Sequence, residues 1–392
     1  MIMIEFYMKK IKILLTLILL IPCFFACKTT EVLQQEPEVK NEDLNILFAG
    51  DIMAHKPNFS RGRFNETYSD IETILKQNDL SLANIETPVT DSRDYSSYPF
   101  FNVHTPYVRA AINAGFNVFS LSNNHSNDQD LEGIISTKKV FDNIREETKD
   151  SQRQVYSSGL KNSPQSPYTY EVIDIKGYKV LFLAVTMILN RSNYNEYINY
   201  VKNTESSRKI FIDYLKNLRN NEPCDLFIIS IHADVPEYVL TISENEKTFY
   251  HQVLDAGVDI VWANHAHVAK GWDIITDEDN IQRKIIFYSM GNTISGQRWE
   301  PDFADPSNSR DYTGDGYMCH VRFNKDKSGI KIEEVKPVLI TTYITPEWYF
   351  EIRILNNDFI QKLKDKGLKK WSSYLEQRKI LMEQIKGMVN GY

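Results

Sequence analysis

The chain has 392 residues, 42% hydrophobic and 25% charged, which fits a folded globular protein and excludes a disulfide-stapled miniprotein. Its 22 Tyr and 20 Phe exclude disorder over most of the length. Lys+Arg 45 against Asp+Glu 52 leave a net charge of −7, which argues against a broad nucleic-acid footprint, so no nucleic-acid partner is expected.

Residues 8–27 read MKKIKILLTLILLIPCFFAC, with a positive head at Lys9, Lys10 and Lys12 and an apolar stretch from Ile13 to Ala26. This is the layout of a secretory signal peptide, shorter than a membrane span requires. Met8 is a more natural start than Met1, since it brings the lysines to the terminus. The small Ala26 before Cys27 is similar to a bacterial lipobox, in which the signal is cut before a cysteine that is then lipidated; Phe24 stands where Leu is usual. An uncleaved anchor and plain secretion are the alternatives. The expected organisation is a signal peptide at 1–26, a lipidated Cys27 with a polar tether to 44, a main domain at 45–345 and a C-terminal helical extension at 346–392. Loss of residues 1–26 removes Lys9, Lys10, Lys12 and Glu5 and takes the net charge from −7 to −9. The expected location is extracytoplasmic, with a bacterial membrane as partner through the lipid anchor. Of the remaining cysteines, Cys224 and Cys319 lack metal-type spacing and read as buried thiols, with one disulfide as the alternative.

Short apolar runs at Ile46–Ala49, Leu80–Ile85, Val118–Leu121, Val180–Thr186, Leu226–Ile231, Ile260–Ala263 and Lys284–Ser289 alternate with helical patterns, which predicts an α/β fold with strands buried on both faces. Lys176-Gly177 marks a hairpin between Glu171–Ile175 and Tyr178–Val185. Helices are expected over Thr105–Ala114, Leu131–Glu147, Ser206–Leu218 and Ser243–Ala256, with Ala114-Gly115 and Ala256-Gly257 as stops. Residues 297–316 read as a long polar surface loop of lid type. Met318–Asn324 and Ile330–Ile340 read as late strands, and Asn357–Met388 as one or two lysine-rich amphipathic helices.

Five of the apolar runs end in polar clusters: Gly50-Asp51, Asn84-Ile85-Glu86, Ser122-Asn123-Asn124-His125, His232-Ala233-Asp234 and Asn264-His265-Ala266-His267. Ligands of open α/β sheets bind at the carboxyl ends of strands, so parallel neighbours would bring all five to one edge. Carboxylate, amide and imidazole together suit one or two divalent transition metals (Mn, Fe or Zn). Two cations about 3.5–4 Å apart clamp a phosphate for in-line attack, and His125 beyond them is placed to protonate a leaving oxygen. Each residue alone has an ordinary structural reading, Asp51 as a helix cap or His232 as a core histidine; the alternate imidazoles His265 and His267 carry more weight. His55, His104, His251 and His320 lack this context and read as structural.

The ordered set Gly50-Asp51-Ile52-Met53, Asn84-Ile85-Glu86-Thr87-Pro88, Ala114-Gly115-Phe116 to Ser122-Asn123-Asn124-His125, His232, Ala256-Gly257-Val258-Asp259, His265-Ala266-His267-Val268 and Tyr288-Ser289-Met290-Gly291-Asn292 resembles the CapA family of capsule biosynthesis, linked to poly-γ-glutamate, over roughly residues 45–295. The resemblance implies layered mixed β-sheets flanked by helices, as in calcineurin-type metallophosphatases. It implies Asp51, Glu86, Asn124, His232, His265 and His267 as metal positions, His125 as the catalytic histidine and Asn84, Asn123 and Asn292 as substrate-binding residues. Met53 stands where the phosphatase pattern has His, which implies a single tight metal. Two functions remain open: a metal-dependent phosphoesterase-like hydrolase of a phosphorylated or envelope-polymer substrate, and a non-catalytic component that holds an acidic envelope polymer. Oligomeric state is not readable.

Overall fold

The computed structural model describes residues 42–387; the expected signal segment, Cys27 and the tether up to residue 41 lie outside them. Two sheets form the centre. The first has eight strands in the order β14-β13-β12-β1-β2-β3-β4, with β11 also paired to β1. These are β1 (Leu44–Ile52), β2 (Leu80–Ile85), β3 (Val118–Ser120), β4 (Tyr156–Ser158), β11 (Asn292–Ile294), β12 (Asp315–Asp326), β13 (Gly329–Ile344) and β14 (Phe350–Ile354). The second has the order β5-β6-β7-β8-β10-β9, from β5 (Tyr170–Ile175), β6 (Tyr178–Thr186), β7 (Leu226–His232), β8 (Ile260–Asn264), β9 (Trp272–Thr276) and β10 (Gln282–Phe287). Strands β1 to β4 run parallel, as do β6, β7, β8 and β10, while β12 to β14, β5 and β9 are antiparallel additions.

Alternation along each strand builds the layers. Leu44, Ile46 and Phe48 of β1 join Phe182, Ile228, Trp262 and Phe287 in a core between the sheets. Leu47 and Ala49 turn the other way, toward the helices Thr105–Ala114 and Asp130–Thr148. The outer face of the second sheet packs on Glu205–Asn221 and Glu244–Asp255. The result is a four-layer α/β sandwich, as the resemblance implied. Trp262 Nε1 donates to the Ala49 carbonyl at 2.9 Å, a hydrogen bond from one sheet to the other.

Gly50 is fixed by close approach: a Cβ there would lie 1.8 Å from the Gly291 carbonyl oxygen. Asp51 N donates to that oxygen at 3.1 Å, which seats the end of β1 on β11.

Three expectations change. The five strand ends belong to two facing sheets, not one, because β5–β10 form a separate sheet. The segment 346–392 opens with strand β14, whose alternating Phe350, Ile352 and Ile354 extend the first sheet, before the helices Asn357–Asp365 and Lys369–Glu383. Residues 299–310 lie largely on the surface, as read, but the segment is anchored at its ends: Arg298, Asp311, Thr313 and Asp315 are buried. Asp315 accepts from Arg298 Nη1 at 2.7 Å within the segment and from Arg378 Nε at 2.6 Å, so the buried Arg378 guanidinium ties the segment to the helical end. Of its charges, Arg298 and Asp315 are spent on internal pairing. Cys319 is buried, Cys224 half-buried, and both are free thiols. No helix among the described residues is long and apolar enough to cross a membrane.

Candidate metal centre and active-site cavity

The carboxyl ends of β1, β2, β7 and β8, together with the loop after β3, meet where the two sheets face each other. Register sets the pairs: Asp51 lies opposite Asn84, and His232 lies between Thr186 and Asn264. Asn84 Nδ2 donates to Asp51 Oδ1 at 2.8 Å and to His232 Nδ1 at 3.3 Å. His232 Nε2 faces Asn124 Oδ1 at 2.9 Å and His265 Nδ1 at 3.2 Å. His267 Nδ1 donates toward Asn292 Oδ1 at 3.1 Å and lies 3.3 Å from Asp51 Oδ2. Glu86 Oε1 is 3.6 Å from His267 Nε2 and 3.7 Å from His232 Nε2. All six expected metal positions thus share one buried site.

Glu86 tests whether the site fits a cation. It is 0% exposed, yet neither carboxylate oxygen has a hydrogen-bond partner. Burial, reinforced by Asp51, pushes its pKa well above the usual carboxylate range. Burial also holds His232 well below the ordinary imidazole value and His265 down to about 4. An unpartnered buried carboxyl beside neutral imidazoles is costly for a protein alone and is the donor set of a divalent cation. Two groups bring their ligand atoms within 4.8 Å of one another, Glu86 with His265 and His267, and Asp51 with Glu86 and His232; Glu86 belongs to both. His265 (φ 99°) and His267 (φ 57°) both take left-handed backbone, a strained conformation that turns two nearby imidazoles into the site. The residues fit a divalent metal.

A cavity of about 610 Å³ opens beside this cluster, lined by Met53, His55, His125, Asn190, Glu237, Tyr238, His267, Trp299 and two arginines, Arg191 and Arg310. His125 Nδ1 donates to Asp128 Oδ2 at 2.7 Å, and its ring packs edge-on against Phe101 at 4.6 Å. The other ring nitrogen, Nε2, lies 3.4 Å from Asn190 Nδ2, and both residues line the cavity. Arg191 is ion-paired with Asp130 and Arg310 stacks over Tyr238.

The three expected substrate-binding amides do not line the cavity. Asn84 bridges Asp51 and His232, Asn123 Nδ2 donates to the Ile85 carbonyl at 2.7 Å, and Asn292 Nδ2 donates to Gln297 Oε1 and the Thr313 carbonyl, both at 2.9 Å. Their polar groups are engaged by protein partners. Met53 lines the cavity, and its carbonyl accepts from Tyr107 Oη at 2.6 Å. His55, read as structural, also lines the cavity, and its Nδ1 accepts from Gly296 N at 3.2 Å. The sequence reading missed Asp128, whose one local signal was its place three residues after His125. It also missed Arg191 and Arg310, which reach the cavity from loops far along the chain.

This is a four-layer α/β protein with a buried site of metal-ligand type. Residues 45–297 match the family described as bacterial capsule synthesis protein PGA_cap, and the chain belongs to that family. Capsule biosynthesis protein CapA of Bacillus anthracis is 25% identical over 281 residues, 69% of this chain and 64% of that protein. The chain therefore spans just under two thirds of that relative. PGA biosynthesis protein CapA of Bacillus subtilis (strain 168) is 22% identical over 318 residues, 78% and 74% of the two chains. Among solved structures, the calcineurin-like phosphoesterase YfkN of Bacillus subtilis aligns with a TM-score of 0.41 at 12% identity, covering 85% of this chain and 99% of that one.

Proposed function

We infer that this chain is an exported, membrane-anchored, metal-dependent hydrolase that cleaves a phosphoester-type bond during assembly of a capsule-type envelope polymer, of which poly-γ-glutamate is one candidate. The observation that carries the reading is the His125–Asp128 pair, at 2.7 Å, on the wall of a cavity that His267 of the Asp51/Glu86/His232/His265/His267 cluster also lines. Asp51, Glu86, Asn124, His232, His265 and His267 would hold the metal, taken to be Mn, Fe or Zn. Bound there, the cation supplies Lewis acidity and neutralises charge on an anionic substrate. The rest falls to the chain's own groups. Arg191 and Arg310 attract and orient an anionic group in the cavity. Asp128 holds the His125 ring through Nδ1, and the protonated ring gives its Nε2 proton to the departing oxygen. The left-handed turns at His265 and His267 fix the imidazoles before substrate arrives. Lipidation at Cys27 supplies the anchor.

One observation favours a second reading, a non-catalytic polymer holder: Met53 occupies the cavity wall where the phosphatase pattern has a ligand. A panel of aryl and alkyl phosphomonoesters and diesters, assayed with Mn²⁺- or Zn²⁺-loaded chain and its His125→Ala variant, separates the two. Turnover lost in His125→Ala supports the hydrolase; no turnover of any ester in either metal form supports the holder.

A further inference from the structure

We propose that the groove adjoining the active-site cavity is a binding site for an acidic glycan chain. The placement of the glycan's reacting unit in the cavity rests on the hydrolase reading; the binding itself does not. The groove encloses about 630 Å³, and Trp299 forms part of both its wall and the cavity's. From Trp299 it passes Phe303, Trp348 and Trp371. Three of the chain's five tryptophans therefore line one groove. Trp299 is 48% exposed, Trp348 43% and Phe303 39%. Such a concentration of exposed aromatic surface marks an interaction site.

The rings are held in place. Trp371 packs edge-on against Phe303 at 5.2 Å and against Tyr343 at 5.0 Å. Trp299 follows Arg298, which Asp315 locks into the interior. Trp348 sits at φ 59°, a strained conformation for a bulky residue, in a turn closed by Trp348 N donating to the Thr345 carbonyl at 2.9 Å and Thr345 N donating to the Tyr349 carbonyl at 2.8 Å. The turn leaves the indole nearly half exposed.

The rim selects the occupant. Lys369 and Lys370 stand on it, exposed, with Glu300 as the opposing charge. They end a stretch, residues 357–370, with five lysines against Asp358 and Asp365, in a chain that is acidic overall. The occupant must present flat apolar faces to indoles and acid groups to lysines. A hydrocarbon tail has no use for lysines and is better held in an enclosed tube. A polyglutamate chain offers carboxylates but no flat ring. A pyranose lays its CH-lined face on an aromatic plane, as bases do on single-strand platforms, while a uronate or phosphate substituent reaches an ammonium.

The test is a tryptophan-fluorescence titration of metal-free chain, which separates it from any failure of hydrolysis. The ligands are an oligogalacturonate, a neutral malto-oligosaccharide of the same length, and poly-γ-glutamate. Saturable binding of the oligogalacturonate is expected, weakened about tenfold by Trp348→Ala through loss of one stacking plane. The double change Lys369→Glu/Lys370→Glu is expected to abolish the preference over the neutral sugar. Unchanged melting temperatures of these surface variants establish that they fold. The proposal is overturned by absent oligogalacturonate binding, by equal or tighter binding of the neutral sugar or of polyglutamate, or by affinity that both Trp348→Ala and Trp299→Ala leave unchanged.

Discussion

Asp128→Asn isolates the charge behind His125. In the structure a single oxygen, Oδ2, accepts from both His125 Nδ1 (2.7 Å) and Phe101 N (2.8 Å), while Oδ1 is buried without a partner. An asparagine can place its carbonyl oxygen where Oδ2 stands and keep both hydrogen bonds. What it loses is the negative charge that strengthens the bond to a protonated ring. A charge-assisted hydrogen bond is worth about 1.5–3 kcal/mol against about 0.5–1.5 for a neutral one, so the loss is about 1–1.5 kcal/mol. At about 1.4 kcal/mol per decade, kcat falls about tenfold. The loss is expected to depend on the leaving group. An alkyl phosphate needs its departing oxygen protonated, whereas p-nitrophenolate does not. The assay is kcat against leaving-group pKa for wild type, Asp128→Asn and His125→Ala. His125→Ala is expected to lose about 10²–10⁴ on the poorest leaving group and much less on the best. Equal losses across the series would refute proton delivery by His125 and leave Asp128 a packing residue.

Asp315→Ala strands the Arg298 and Arg378 guanidiniums in the interior, which costs about 3–5 kcal/mol and frees residues 297–316; a lower melting temperature and new proteolytic cuts in that segment check this. Gly50→Ala drives a Cβ to 1.8 Å from the Gly291 oxygen, so a cooperatively melting chain is not expected, as near- and far-ultraviolet circular dichroism would report. Burial pushes Glu171 up to about 7 despite its Arg145 partner. Between the ordinary carboxyl value and about 7 the folded chain holds more protons than the unfolded one, so this group's contribution to stability is lost as pH rises through that window. Urea midpoints at pH 5 and 8 are expected to differ less in Glu171→Gln than in wild type, and an unchanged difference contradicts the assignment.

Much of the fold was legible because buried parallel strands write themselves as unbroken apolar runs. Leu80–Ile85 and Thr105–Ala114 match their observed bounds, since a polar cluster or a Gly stop marks each end. Sheet membership was not legible: nothing local to Leu226–His232 says that it pairs with Tyr178–Thr186 and not with β1. The candidate ligand set could be picked out because six carboxylate, amide and imidazole residues stand at or just after strand ends. Asp128 was hidden because a carboxylate three residues after a histidine is common in turns. Arg298 and Asp315 looked like surface charge because the sequence carries no sign of which charges are paired inside, and Glu86 is identified by the partners it lacks, which only three dimensions reveal.

The most direct test is metal content per chain, by elemental analysis of the purified protein after reconstitution with Mn²⁺, Fe²⁺ or Zn²⁺, beside the His265→Ala/His267→Ala double variant. One or two equivalents in the wild type, lost in the double variant while its circular dichroism stays native, is the expected result. A wild-type chain that retains no metal, or a double variant that retains as much, would contradict a metal centre at these strand ends.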